Sequence, residues 1–82
     1  MSLRIALAQI NTTVGDLEGN ARQVLDYCAR ARERGADLAV FPELTTTGYP
    51  PEDLLFKDHF ISGNLKSLLT IARQVRGLTA VV

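Results

Sequence analysis

One carboxylate stands out in the sequence by where it falls. Glu43 follows the unbroken apolar run Leu38-Ala39-Val40-Phe41 and then Pro42, which cannot donate to a sheet ladder. Such a run reads as a strand buried on both faces. Glu43 is therefore delivered at the carboxyl end of a strand, where open α/β sheets bind their ligands. Phe41 and Leu44 flank it and are placed to keep water away, so the group can serve as a general base. A structural reading stands beside this one: a carboxylate that caps the following loop or pairs with a basic residue. Behind it, Thr45-Thr46-Thr47-Gly48-Tyr49-Pro50-Pro51 is a loop of polar groups and fixed turns. Its threonine hydroxyls can meet a substrate or satisfy the loop's own backbone.

The other reactive side chains read as structural. Cys28 is the only thiol, and it falls on the apolar face of a predicted helix, where a thiol is an inert core group. His59 is the only histidine and lies near a predicted helix start; with no serine or cysteine motif beside it, a surface or capping role fits. Arg30-Ala31-Arg32-Glu33-Arg34 reads as a solvated helix end whose cations suit the negative pole. The glycines at 15, 19, 35, 48, 63 and 77 are dispersed and match neither phosphate-binding fingerprint. No nucleophile-elbow pattern occurs, and Cys and His are too few for a zinc site.

The elements that must hold Glu43 follow from periodicity. Arg4 to Ile10 predicts a first strand, apolar with little alternation and so covered on both sides. Asn11 to Gly15 is a turn-rich connection. Asp16 is a good N-cap for a helix over Leu17 to Arg34, with Leu17, Ala21, Val24, Leu25, Cys28 and Ala31 on one face. Gly35 is its left-handed stop, and a second strand runs from Asp37 to Phe41. After the Glu43 loop, Pro51 starts a short helix with Glu52 and Asp53 in its first turn and Leu54, Leu55 and Phe56 as its apolar side. Asp58 caps a longer helix to Arg76, whose buried stripe is expected to be Ile61, Leu65, Leu68, Leu69, Ala72 and Val75. Ser62-Gly63-Asn64 weakens its start. Gly77 is a second stop, and Leu78 to Val82 is a third strand. Strand, helix, strand, helix, strand predicts an α/β domain.

Composition narrows the class. Hydrophobic residues make up 46% and charged residues 22%, which places the chain among globular rather than disordered sequences. Lys plus Arg and Asp plus Glu number 9 each, so no net field draws in nucleic acid or a membrane surface. No apolar run has the length of a bilayer span, and the amino-terminal residues enter a strand pattern without a signal peptide's apolar core. A single cysteine suits a reducing compartment, so a cytoplasmic location is expected. With 82 residues ending in the apolar Ala80-Val81-Val82, the sequence is expected to be the first part of a longer folded unit.

Phe41-Pro42-Glu43-Leu44 followed by Thr47-Gly48-Tyr49 resembles the first catalytic block of the nitrilase, or carbon–nitrogen hydrolase, superfamily. Ile5-Ala6-Leu7-Ala8-Gln9, the Gly15-Asp16 turn with Asn20, and Gly35-Ala36-Asp37 match the same superfamily in the same order. Tyr49-Pro50-Pro51-Glu52-Asp53-Leu54-Leu55 is more specific and resembles one branch of it, the amino-terminal glutaminase domain of bacterial glutamine-dependent NAD synthetases.

The resemblance implies a four-layer α-β-β-α sandwich, of which residues 1–82 are the amino-terminal part, and a Glu-Lys-Cys triad in which Glu43 is the general base. It implies glutamine as the substrate whose ammonia passes to an ATP-using synthetase domain, with ATP and Mg2+ there, for amidation of deamido-NAD. A homo-oligomer is expected. The family's lysine and cysteine are expected beyond Val82: Lys57 and Lys66 do not match the lysine motif, and Cys28 precedes Glu43. Two other readings stay open. One is an amidase or carbamoylase without a synthetase domain, separable by the absence of a downstream ATP-pyrophosphatase motif. The other is a non-catalytic α/β binding module, against which a downstream Lys and Cys would count.

Overall fold

The computed structural model describes residues 2–82, without the side chains of Asp53 and Leu55. Its element order is β1 (Ile5–Leu7), α1 (Leu17–Glu33), β2 (Leu38–Val40), a short 3₁₀ helix (Glu52–Phe56), α2 (Asp58–Gln74) and β3 (Thr79–Val81). The strands form one parallel sheet in the order β1-β2-β3. All three are shorter than periodicity predicts, yet the ladder runs past their ends. Ala8 N–H donates to Val40 O at 2.9 Å, Phe41 N–H to Val81 O at 2.9 Å, and Thr79 N–H to Asp37 O at 3.0 Å.

Register explains which face is covered. Ala6, Ala39 and Ala80 are aligned across the sheet. Their small side chains let the helices settle close to the backbone, where Ala39 joins Ala21, Val24, Cys28, Ala31, Phe41 and Ile71 in the core. The neighbouring rows, Ile5-Leu38-Thr79 and Leu7-Val40-Val81, point the other way. Among the described residues this second side is open. Leu7 is 72% exposed, and Ile5 and Val81 are exposed as well. The apolar character of both faces is real, but the described residues place helices on one face only.

α1 forms as its sequence dictates. Asp16 is the N-cap, its side chain accepting from Gly19 N–H at 2.9 Å. The buried face is Asn20, Ala21, Val24, Cys28 and Ala31, with Leu17 and Leu25 half-buried. Arg34 is the C-cap and Gly35 takes φ +80°, the left-handed stop. The arginine-rich end is solvated: Arg30 pairs with Asp26 at 3.3 Å on the surface and lies over the Tyr27 ring.

α2 departs from its expected face. Its buried residues are Phe60 and Ile71, whereas Ile61, Leu65, Leu68, Leu69 and Ala72 are exposed and Val75 is half-buried. The side turned to α1 instead carries small groups. A Cβ on Gly63 would lie 2.9 Å from Leu17 Cδ1, and Ser67 Oγ donates to Leu17 O at 3.3 Å. Small residues bring the helices together, so the bulkier stripe is left outside. Asp58 is the first helical residue rather than the cap: Lys57 occupies the cap position and no side chain caps there. The helix ends at Gln74, and Val75 is extended. Pro51 precedes the 3₁₀ helix as its N-cap. Phe56 is 86% exposed, contrary to its expected apolar contact, while Leu54 is half-buried. The expected places of the Asp53 and Leu55 side chains lie outside the described residues.

With one sheet face and the α2 stripe open, the isolated 82-residue chain is expected to bind a hydrophobic dye and to self-associate. Sedimentation velocity with dye titration checks this; a monodisperse, dye-silent monomer would show that these apolar surfaces do not drive association.

Candidate active site

The loop carrying Glu43 is fixed at both ends. Phe41 is buried and still paired to β3, so the chain enters the loop from a rigid ladder. Pro42 then ends the pairing. Residues 43–47 turn sharply, closed by Gly48 N–H donating to Leu44 O at 2.9 Å. Leu44 has φ +55°, a left-handed conformation that costs a non-glycine residue about 1–2 kcal/mol. Backbone strain of this kind beside a carboxylate is found where surrounding contacts over-determine the geometry.

Those contacts come from the three threonines, all buried. Thr45 Oγ1 donates to Pro42 O, and Thr47 Oγ1 contacts Leu44 O at 3.3 Å and Gly48 O at 3.0 Å. Thr46 Oγ1 donates to Asn64 Oδ1 of α2 at 2.7 Å. Of the two readings of these hydroxyls, the structure shows the internal one: they satisfy the loop and its neighbours rather than face outward.

The loop after β1 is stapled to the same place. Asn20 Oδ1 accepts from Thr13 N–H at 2.9 Å, and Asn20 Nδ2 donates to Thr13 O at 2.8 Å and Thr46 O at 3.0 Å. Gly15 N–H donates to Thr47 O at 2.9 Å. Two carboxyl-end loops of adjacent parallel strands thus form one body, with Asn20 fully buried at its centre. Sequence reasoning placed Asn20 only within a matching turn. Its signal was a poor helix former on the apolar side of α1, next to Ala21 and Val24.

Glu43 itself is exposed. Among the described residues its carboxylate caps no backbone group and joins no ion pair. The loop is capped by threonines, so the structural reading of Glu43 has no support in these contacts. The expected shielding is corrected too. Phe41 turns into the core and Leu44 is 40% exposed, so neither covers the carboxylate.

The structure does not bring the other reactive groups here. Cys28 sits in the core between the sheet and α1, and burial pushes its thiol above the ordinary 9.0. His59 is exposed in the first turn of α2. Lys57 is the α2 cap residue, and Lys66 borders a groove between α1 and α2 with Glu18, Arg22, Ser67 and Thr70.

Cys28→Ala is expected to cost about 1–2 kcal/mol through lost packing. Denaturation midpoints of the parent and the variant check this. The buried thiol favours the protonated form. Its contribution to stability is therefore complete below 9.0 and is lost as pH rises through the higher folded value.

A family model described as carbon-nitrogen hydrolase matches residues 4–80. A glutamine-dependent NAD(+) synthetase of Thermotoga maritima is 46% identical over 80 residues, 98% of this chain and 14% of that protein. The crystal structure of a glutamine-dependent NAD(+) synthetase from Cytophaga hutchinsonii superposes with TM-score 0.89 and 31% identity, over 95% of this chain and 13% of that one. An amidase from Nesterenkonia sp. superposes with TM-score 0.78 and 34% identity, over 95% of this chain and 30% of that one. This chain therefore spans about one seventh of the synthetases it matches. The parallel α/β unit is that of the nitrilase-like amino-terminal domains, and the chain belongs to the carbon–nitrogen hydrolase family.

Proposed function

We propose that residues 1–82 are the amino-terminal portion of a glutaminase domain in a glutamine-dependent NAD synthetase, and that Glu43 is its general base. The observation that carries the reading is a carboxylate with no hydrogen bond or ion pair among the described residues, on a loop tied to α1, α2, β3 and the loop after β1. A cysteine thiol, contributed from outside this chain, would give its proton to Glu43. The thiolate would attack the amide carbon of glutamine. Return of the proton to the departing nitrogen would release ammonia and leave a thioester, which water then cleaves to glutamate.

Ammonia would then serve an ATP-dependent amidation of deamido-NAD. The described residues form no glycine-rich phosphate loop. The glycines with positive φ, at 15, 35, 48 and 77, are spread over separate turns rather than gathered into a phosphate cradle. ATP and Mg2+ would bind elsewhere in the longer protein, and no step of the glutaminase reaction passes through them. A cytoplasmic location accords with this role and with the single buried thiol; among the described residues no helix is long and apolar enough to cross a membrane. A homo-oligomer remains part of the reading.

The likeness to an amidase favours a second reading, hydrolysis of a small amide with no synthetase step. The test is a paired assay on the full-length protein with ATP and deamido-NAD, supplying glutamine or ammonium as nitrogen donor. NAD from both donors is expected. Amide hydrolysis with no NAD from either donor would favour the amidase.

A further inference from the structure

We propose that Asn20 and Asn64 are positioning residues for Glu43, gripping Thr46 from two different helices and thereby setting where the carboxylate stands. The inference rests on the reading of Glu43 as a general base.

Thr46 lies three residues after Glu43 and is held twice. Its carbonyl accepts from Asn20 Nδ2 at 3.0 Å, and its hydroxyl donates to Asn64 Oδ1 at 2.7 Å. One anchor belongs to α1 and the other to α2. The turn's other end hangs on the β2–β3 ladder through Phe41. Glu43 therefore sits on a span of chain whose two ends are tied to separate rigid elements.

Asn20 is an unusual choice for its place. It is 0% exposed on the core side of α1, where an alanine or leucine would favour the helix and cost no desolvation. Its planar amide places an acceptor oxygen on Thr13 N–H and uses both of its N–H donors, on Thr13 O and Thr46 O. Aspartate has the same shape but presents acceptors to two carbonyl oxygens. Asn64 lies in the stretch that should weaken α2, yet the helix runs through it unbroken. Both residues spend helix propensity on holding one loop residue in place.

The test uses the full-length enzyme with Asn20→Asp, Asn64→Ala and, in parallel, Glu43→Gln. A misplacement near 1 Å at a reacting group lowers rates by about 10²-fold. Asn20→Asp is therefore expected to lower kcat for glutamine by about 10- to 100-fold, with KM for glutamine nearly unchanged and ammonium-dependent NAD synthesis retained. Asn64→Ala, which improves helix propensity and so keeps the fold, is expected to lower kcat by about 3- to 10-fold in the same pattern. If Asn20→Asp does not fold, Asn64→Ala alone decides. Folded variants with parental kcat would overturn the positioning role while Glu43→Gln still abolishes turnover. Retained turnover in Glu43→Gln would instead overturn the reading of the base.

Discussion

Glu43→Gln is expected to lower glutamine-dependent NAD formation by about 10²–10⁴-fold in the full-length enzyme, the usual worth of a general base. A cysteine thiol near its free pKa is only a few per cent ionised at neutral pH, so thioester formation needs a proton acceptor. Glutamine keeps the size and hydrogen-bonding reach of Glu43 and loses that function. The fold should not notice the change. The side chain is exposed and has no partner among the described residues, and surface substitutions of this kind stay within about 0.5 kcal/mol. Ammonium-dependent synthesis should persist, because it bypasses the glutaminase step. Parallel rates with the two nitrogen donors, alongside a thermal melt, check this. Loss of both activities with a lowered melt would make Glu43 structural. Loss of neither would place the base elsewhere.

The separation of these outcomes reflects what a linear sequence can and cannot encode. That Glu43 stands just past a strand end was legible because Pro42 must stop the ladder, a local fact. α1 was legible almost to the residue, since Asp16 and Gly35 act on their own neighbours. α2 was legible as a helix and misjudged as a surface. Periodicity reports that Ile61, Leu65, Leu68, Leu69 and Ala72 share a side, but not where the partner helix stands. Gly63 and Asn64, which read as a weakness, lie with Ser67 on the side that meets α1 and the Glu43 loop. The strands read as doubly covered because both rows are apolar; that pattern records a preference for burial, not the presence of a cover. Asn20 and Thr46 were illegible as a pair, because they lie 26 positions apart and their contact needs both loops in place.

Gly48→Ala should be the most damaging of the glycine-to-alanine changes, because its added methyl meets backbone, and its damage should reach the site. Gly48 has φ +79°, and a Cβ there would lie 2.6 Å from Val14 Cα and N and 2.8 Å from Thr13 C. These are backbone atoms, with no flexible side chain to swing aside. The left-handed conformation costs alanine about 1–2 kcal/mol, and forcing the loops apart adds about 1–3 kcal/mol of overpacking. Separation also strains the Gly15–Thr47 bond and the Asn20 clamp, which closes on the same Thr13. The expected total is about 2–5 kcal/mol, a large share of the roughly 5–15 kcal/mol that holds a typical domain. Gly35→Ala is the control. Its φ is +80°, nearly the same, but a Cβ there meets only Arg4 Nη1 at 3.1 Å, the far end of a flexible side chain. It should cost about 1–2 kcal/mol, the conformational share alone. Denaturant midpoints for both variants, with glutamine turnover measured below each transition, separate the two costs. Gly48→Ala is expected to lose turnover while still folded, because the loops that hold Glu43 no longer meet; Gly35→Ala should keep it. Equal losses in stability would show that the Thr13–Val14 segment yields easily, and that the two loops are not one body.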